Sequence, residues 1–302
     1  MTPTYRSSSR LERHTMTIVV TAATGRLGSR IVASLLARGA AASDVLATAR
    51  RPEALADLAA QGVRTARLEY TDADSVAAAI QPGDTLVLVS GSEVGQRVPQ
   101  HTTVIEAAKA AGVGRILYTS VLRASTTELF IAGEHKATEE VLAASGVPVT
   151  LLRNGWYTEN YAGTVDTVKQ TGALLTSAGD GRVASATIAE FAEATAVAAL
   201  DDSLAGQTFE LAGDERWTQD DLAQAISGIL GQPVPVSQVS AEEHARILGG
   251  AGLDEGTVGF VVGLDAATRA GQLDDETGDL ARLLGRPTTS LAEGLRQAVA
   301  GA

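Results

Sequence analysis

Cysteine is missing altogether from the 302 residues of this chain. Its absence excludes disulfides, thiolate zinc sites, iron–sulfur ligation and a cysteine nucleophile. Lysine is almost as scarce, since Lys109, Lys136 and Lys169 are the only three. Aromatic residues make up only 4% of the chain, so any cluster of them stands out.

Positive charge and long apolar runs are also in short supply. The 24 basic residues face 36 acidic ones, a net charge of −12, which disfavours a nucleic-acid or membrane partner. The longest charge-free run, 222–241, contains two glycines and two prolines and is not a membrane-spanning helix. Residues 1–15 carry three arginines and no apolar stretch, so they are not a secretory signal. We predict a disordered extension there, a fold that begins at Met16 and a cytoplasmic location.

Short apolar strands alternate with alanine-rich helical segments through the first half of the chain. Strands are predicted at 17–21, 45–49, 63–68, 85–89, 115–120 and 149–153, with a helix between each pair. This order predicts an α/β protein with a doubly wound parallel (Rossmann) sheet over residues 16–154. A smaller C-terminal α/β substrate lobe is predicted over 155–302, interleaved with the sheet as one compact unit. It would include the helix 188–200 and the strand 208–211.

The turn after the first strand has the pattern of a dinucleotide-binding loop. Glycine lets the backbone approach a pyrophosphate, and the following helix presents free N–H groups to it. The predicted cofactor contacts here are Thr21, Ala23, Thr24, Gly25, Arg26, Leu27 and Gly28. Ala22 stands where such loops usually have their first glycine, and its methyl group is either harmless or crowds the cofactor. The alternative is a tight turn without a ligand.

Two arginines follow the second strand, where NAD-specific sites normally have an acidic residue. Arg50 and Arg51 would bind a 2′-phosphate instead. The sequence therefore predicts NADPH as the cofactor, with Arg50 as the phosphate contact. The alternative is a solvated arginine pair in a loop.

The tyrosine–lysine pair that many enzymes of this fold use is absent, because no lysine has a tyrosine four residues before it. The corresponding segment has His135 and Glu139 on one helical face. A histidine there can donate a proton, with the carboxylate orienting it. The alternative is a helix histidine paired with an acid, and His101 is interpreted as structural. Because no two histidines have metal-ligand spacing, no metal is expected.

An aromatic cluster follows the sixth strand. Asn154, Gly155 and Trp156 are predicted to close the nicotinamide site, and Tyr157 is a candidate for contact with a planar substrate. The alternative is an ordinary core between the lobes that uses Trp156 and Tyr161. The small residues Ser90, Gly91 and Ser92, in the turn after the fourth strand, are predicted to line the ribose and nicotinamide region.

These residues together resemble the NmrA-like atypical short-chain dehydrogenases, closest to the bacterial NAD(P)H:quinone oxidoreductases of type 2. The resemblance lies in the loop 21–28, the segments 90–97, 118–120, 134–135 and 152–160, and the ending 284–289. It implies an NADPH-binding Rossmann domain and direct hydride transfer to a quinone, without flavin. The chain departs from this family at Ala22 and around Thr187, Ala189 and Glu190.

Three functions remain open from the sequence. The first is NADPH-dependent reduction of a quinone or a quinone-like conjugated carbonyl, with His135 and Tyr157 as candidate catalytic residues. The second is a non-catalytic dinucleotide sensor that binds a protein partner, as NmrA-like regulators do. The third is a reductase or isomerase of one aromatic metabolite. No segment of the sequence has the heptad pattern of a coiled coil, so the sequence leaves a monomer and a homodimer as alternatives.

Overall fold

The computed structural model describes residues 16–301, so the extension predicted at residues 1–15 lies outside the described residues. Seven parallel strands form one sheet in the order β3-β2-β1-β4-β5-β6-β8. They are β1 (Ile18–Val20), β2 (Val45–Ala49), β3 (Arg64–Arg67), β4 (Thr85–Leu88), β5 (Arg115–Val121), β6 (Val149–Asn154) and β8 (Thr208–Leu211). The predicted doubly wound α/β fold is confirmed.

Strand order reverses between β1 and β4, and this reversal sets the position of the ligand crevice. The chain runs outward from β1 to β2 and β3, then returns to build the other half of the sheet from β4. Val20 pairs with Ala47 on one side and with Val87 on the other. The carboxyl ends of these three central strands therefore lie together, which is where open parallel sheets bind ligands.

Helices cover both faces of this sheet. On one face lie α1 (Arg26–Ala37), α7 (Ile188–Leu200) and α11 (Asp279–Leu284), and on the other α3 (Ala73–Ala79), α4 (Arg97–Ala111) and α5 (Ala132–Ser145). A short helix, α2 (Ala56–Ala60), joins β2 to β3. Neighbouring strand residues alternate between the two cores, since Val20 packs under α1 and Val19 faces α4. This arrangement explains why the strands have no polar face.

Two elements assigned to the smaller lobe belong to the Rossmann layers, and that part of the prediction was wrong. Strand β8 pairs in parallel with β6, with Leu152 opposite Phe209. Helix α7 packs along α1 and is buried over most of its length. Strand β8 pairs with the edge of β6 that would otherwise be open, and its apolar side chains become buried there. The two strands come together although 53 residues separate them in the sequence. The chain thus leaves the sheet after Asn154 and returns to it with α7.

The smaller lobe contains a second sheet of only two strands, which the sequence analysis did not anticipate. The strands β7 (Leu174–Thr176) and β9 (Val236–Gln238) run parallel. Around them lie α6 (Ala162–Thr171), α8 (Gln219–Leu230), α9 (Ala241–Gly250), α10 (Glu255–Arg269) and α12 (Leu291–Ala300). Three-residue strands contain too few residues for a recognisable alternation. The lobe has its own core, built around Trp217, Tyr161 and Leu295.

Gly28 is the residue at which α1 comes closest to the turn after β1, and its replacement tests that contact. A Cβ atom at this position would lie 2.3 Å from the carbonyl oxygen of Ala22. We expect Gly28→Ala to lower the free energy of unfolding by about 1–3 kcal/mol through overpacking and to abolish tight NADPH binding. Urea unfolding and a fluorescence titration with NADPH measure these effects.

Gly228→Ala is the matched control. This glycine lies within α8, and no atom stands within 4 Å of the place that an added methyl group would occupy. We expect the control to raise the free energy of unfolding by up to about 1 kcal/mol and to leave NADPH binding unchanged. Wild-type stability and binding in Gly28→Ala would contradict the importance of this contact.

Candidate functional site

The turn between β1 and α1 adopts the left-handed conformation despite having alanine at its first position. Ala22 has a φ of 49°, and its carbonyl oxygen accepts a hydrogen bond from the Gly25 N–H at 2.9 Å. Such a conformation costs about 1–2 kcal/mol for a residue with a Cβ atom. The Ala22 methyl group therefore strains the loop without preventing its shape. Gly25, the residue before α1, has no side chain to cap the helix, and the free N–H groups of its first turn suit a phosphate.

A cavity of about 510 Å³, called here the cofactor cavity, extends from this turn along the carboxyl ends of the central strands. Most of the predicted cofactor residues line it, namely Thr24, Gly25, Arg26, Leu27, Gly28, Arg50, Ser90, Gly91 and Ser92. Thr21 and Ala23 are instead buried in the core beneath the turn, and they shape the turn from below. Tyr157 lines the same cavity from the far side.

An adjoining depression at the end of β2 brings the two predicted phosphate-binding arginines together. It is lined by Thr24, Arg50, Arg51 and Ala54. The Arg50 side chain is 72% exposed, and its guanidinium lies 3.6 Å from the Glu93 carboxylate. One weak surface ion pair leaves a guanidinium free to bind a doubly charged phosphate. The position of both arginines fits the 2′-phosphate of NADPH.

A buried histidine supports the wall of the cofactor cavity. The Gly91 N–H donates to His101 Nε2 at 3.0 Å, so His101 carries its proton on Nδ1. That Nδ1–H donates to the Thr138 hydroxyl at 3.1 Å. Burial, with a smaller effect of Arg97, lowers the pKa of His101 to about 4. The neutral ring thus holds Gly91 in place, which supports the structural interpretation of His101.

His135, a candidate catalytic residue, is 4% exposed and lines neither the cofactor cavity nor the substrate cavity described below. Its Nδ1 lies 2.8 Å from the Tyr118 hydroxyl. Burial, followed by the charge of Arg97, lowers the pKa of His135 to about 3. These surroundings favour a neutral ring at physiological pH, so a catalytic role for His135 stays a prediction without a contact that supports it.

The expected partnership of Glu139 with His135 was wrong. The Glu139 carboxylate accepts two hydrogen bonds from the Arg153 guanidinium, at 2.6 and 3.0 Å, and one from the Ser120 hydroxyl at 2.6 Å. Arg153 lies on β6, so its position beside Glu139 cannot be read from helical spacing. A bidentate pair with arginine is stronger than a contact with a neutral imidazole.

A second cavity of about 510 Å³, called here the substrate cavity, opens between the turn after β6 and the helices of the smaller lobe. Its apolar wall includes Trp156, Tyr161, Leu174, Leu175, Leu222, Phe260, Val261 and Leu264, and its polar wall includes Glu159, Asn160, Gln219, His244 and Asp265. Arg26 lines both cavities. Trp156 and its neighbour Tyr157 face different cavities, so the chain after β6 separates the two.

Two buried polar atoms at the end of β6 and in the turn after it have no hydrogen-bond partner among residues 16–301. They are the Asn154 Oδ1 and the Trp156 Nε1. Trp156 lines the substrate cavity, whereas Asn154 lines neither cavity and approaches the cofactor cavity through its Nδ2, 3.5 Å from the Tyr157 hydroxyl. An unpaired buried polar group costs about 1–3 kcal/mol, which a ligand can offset. The Asn154 oxygen, at the end of β6, suits the N–H groups of a nicotinamide carboxamide. The Trp156 N–H suits a carbonyl oxygen in the substrate cavity. The residues present therefore fit NADPH and a planar acceptor beside it.

Tyr157 and Tyr161 have different surroundings although both follow β6. The Tyr157 ring lies 5.2 Å from that of Phe191, and burial raises the pKa of its hydroxyl. The Tyr161 ring packs edge-on against Trp217 at 4.9 Å. Tyr161 thus belongs to the core of the smaller lobe, whereas the alternative interpretation placed it in a core between the lobes, and one side of it borders the substrate cavity.

Sequence reasoning missed several lining residues. Leu68, Glu69 and Tyr70 line the cofactor cavity, and their position directly after β3 is a signal that could have found them. The Tyr70 hydroxyl donates to the Val89 carbonyl at 2.6 Å and ties this segment to β4. No sequence signal brings His244 and Asp265 together, since they lie on different helices of the smaller lobe.

Comparison with known proteins assigns the class of this chain. The profile described as NAD(P)H-binding matches residues 22–202, and the chain belongs to this family of Rossmann-fold oxidoreductases. Quinone oxidoreductase 2 of Escherichia coli is 42% identical over 91% of this chain and 96% of its own length. An NmrA-like oxidoreductase of Aspergillus flavus is 28% identical over 93% of this chain and 94% of its own length. The predicted resemblance is confirmed.

Solved structures agree with this assignment. The crystal structure of the E. coli NADPH-dependent quinone oxidoreductase complexed with NADPH superposes with a TM-score of 0.88. It is 41% identical, covering 93% of this chain and 99% of that one. The Citrobacter sp. triphenylmethane reductase complexed with NADP(H) gives a TM-score of 0.87 at 33% identity, over 93% of this chain and all of that one. An NADPH cofactor, predicted from Arg50 and Arg51, agrees with these relatives.

Two negative findings apply to residues 16–301 alone. No helix there is long and apolar enough to cross a membrane. No group of three or more histidine, aspartate and glutamate residues in that part of the chain could hold a metal ion.

The neutral state of His101 makes a prediction about stability in acid. Its pKa is about 4 in the folded protein against an ordinary 6.5, so the unfolded chain takes up the proton first as the pH falls. The stabilisation is complete above about pH 6.5 and is lost as the pH falls towards 4. From pH 7.5 to pH 5 this loss is about 2 kcal/mol for one histidine.

Between pH 7.5 and pH 5, we expect the free energy of unfolding of His101→Gln to fall by about 2 kcal/mol less than that of the wild type. Lys109→Gln is the control, because Lys109 is exposed on the same helix and takes no part in the hydrogen bonds of His101. Urea unfolding at both pH values measures the difference. Equal losses in the wild type and His101→Gln would show that His101 is not held neutral by the fold.

Proposed function

We propose that this chain is an NADPH-dependent reductase that transfers a hydride directly to a quinone or a quinone-like conjugated carbonyl, without flavin. The observation that carries the proposal is the junction of the two cavities at Arg26 and the turn after β6. This junction puts an apolar, aromatic-lined site for a flat acceptor next to a dinucleotide site. The E. coli relative named quinone oxidoreductase 2 supports the choice of acceptor.

The chain's own residues account for binding and orientation. The first turn of α1 would hold the pyrophosphate, Arg50 and Arg51 the 2′-phosphate, and Asn154 Oδ1 the carboxamide. Bound NADPH supplies the hydride. The Trp156 N–H would donate to a quinone carbonyl and polarise it. Proximity and this polarisation both promote hydride transfer to a quinone, whose reduced form is aromatic.

A cationic conjugated acceptor is a second candidate substrate. The carboxylates of Glu159 and Asp265 line the substrate cavity, and negative charge on its wall attracts a cation. The triphenylmethane reductase is a structural relative of this chain. A triarylmethyl cation needs a hydride alone, whereas a quinone also needs a proton. We further propose a cytoplasmic enzyme that acts as a monomer or a homodimer.

The activity is tested by NADPH oxidation with purified protein and 1,4-benzoquinone or 1,4-naphthoquinone. A reaction without protein corrects for direct oxidation of NADPH by the quinone. Saturable, protein-dependent oxidation that prefers NADPH over NADH is expected. Binding of NADPH without turnover of any acceptor would contradict the enzyme and favour the dinucleotide sensor.

Arg50→Ala tests the origin of the cofactor preference. We expect the KM for NADPH to rise about tenfold, since an exposed guanidinium contributes at the low end of charge-assisted hydrogen bonds, and the KM for NADH to stay the same. Arg296→Ala is the control, because Arg296 is also exposed and paired with one glutamate, Glu293, on the remote helix α12. Equal losses with both cofactors would show that Arg50 does not read the 2′-phosphate.

A further inference from the structure

A buried histidine and a carboxylate meet at the wall of the substrate cavity, on two helices of the smaller lobe. His244 of α9 is 2% exposed, and both it and Asp265 of α10 line the cavity. The His244 Nδ1 lies 3.2 Å from the Asp265 Oδ2. The same Nδ1 lies 3.2 Å from the Ser177 hydroxyl, in the segment directly after β7.

These contacts determine which nitrogen of His244 is free to act. The Ser177 hydroxyl donates to the Asp265 Oδ2 at 3.3 Å, so its oxygen is left to accept a hydrogen bond from the His244 Nδ1–H. The Nε2 has no hydrogen-bond partner within the described residues. A histidine that is oriented through Nδ1 by a hydroxyl bonded to a carboxylate, and has its Nε2 free, has the arrangement of a general acid or base.

The carboxylate itself is held firmly without help from His244. Asp265 Oδ2 accepts hydrogen bonds from the Ser177 N–H at 2.6 Å and from the Thr176 hydroxyl at 2.9 Å. The Ser177 carbonyl in turn accepts a hydrogen bond from Arg269 at 2.6 Å. Because the segment after β7 is already anchored to α10, His244 is not needed to hold it. The acid is thus preorganised to orient the histidine.

We propose that His244, oriented by Asp265 through the Ser177 hydroxyl, is the proton donor for the acceptor reduced in the substrate cavity. This role rests on the proposed reductase function. A quinone gains two electrons and one hydrogen as a hydride from NADPH and needs one further proton. The Nε2–H bond of the His244 imidazolium breaks as an O–H bond forms at the quinone oxygen that carries the developing negative charge. The histidine is left neutral and is recharged by a proton from water.

His244 differs from the two other candidate acids in ways that favour it. His135 lines neither cavity, and burial disfavours its cationic form. Tyr157 lines the cofactor cavity, and burial makes its hydroxyl a weaker acid. His244 is linked through the Ser177 hydroxyl to the Asp265 carboxylate, and it borders the cavity that fits a planar acceptor.

The matched variant is His244→Asn. The asparagine amide nitrogen can replace Nδ1 in the contact with the Ser177 hydroxyl, whereas no atom of asparagine replaces Nε2. We expect kcat with NADPH and 1,4-naphthoquinone to fall about 100-fold, and the KM for NADPH and the unfolding midpoint to stay near wild-type values. The solvent deuterium isotope effect on kcat should change together with kcat. Reduction of a triarylmethyl cation, which consumes no proton, should keep its rate.

Asp265→Asn provides a second test that is independent of the folding of the first variant. It removes the charge that stabilises the imidazolium, and we expect kcat to fall about tenfold or more. Wild-type kcat and solvent isotope effect in either folded variant would overturn the role of His244. In His244→Asn, equal losses with the quinone and the cationic dye would also overturn it, in favour of a structural contact. The dye comparison does not apply to Asp265→Asn, because the Asp265 carboxylate is itself proposed to attract the cation. Absence of turnover by the wild-type protein would instead contradict the proposed function itself.

Discussion

The close approach of helix α1 to the turn after β1 is the contact on which the rest of the site depends. Only a hydrogen atom fits at Gly28 beneath the Ala22 carbonyl. Because this contact is so short, the N-terminus of α1 points at the ends of the central strands. The apolar side of α1 then packs against α7, through residues such as Ile31 and Phe191. One contact thus positions both the phosphate-binding end of the helix and the return of the chain to the sheet.

Buried polar hydrogen bonds, rather than long loops, fix the remaining walls of the site. His101 holds Gly91, and Tyr70 connects the segment after β3 to β4. Such bonds in a low-dielectric interior require the neutral forms of both rings. Three buried side-chain atoms of the described residues have no hydrogen-bond partner, on Arg123, Asn154 and Trp156. The atoms on Asn154 and Trp156 belong to the end of β6 and the turn after it, where we expect the cofactor and the acceptor to meet.

The sequence predicted the parallel sheet and the tight turn between β1 and α1 well, because apolar runs and glycine spacing are local signals. It placed β8 and α7 in the wrong layer, since the order of elements does not show which strand edge is left open. It also paired Glu139 with His135, because helical spacing does not reveal an arginine on the neighbouring strand. The contact of His244 with Asp265 joins two different helices, and no local pattern predicts it. Long-range pairing of polar groups is therefore what only the structure reveals.

The central claim is direct hydride transfer from NADPH to an acceptor in the adjoining cavity. The most direct measurement is the rate of NADPH oxidation by flavin-free protein with 1,4-naphthoquinone, using NADPH that carries deuterium on one or the other face of nicotinamide C4. The account predicts a primary isotope effect with one deuterated face only, because the protein presents a single face to the substrate cavity. Equal rates with both deuterated forms and with ordinary NADPH under single-turnover conditions would contradict direct transfer.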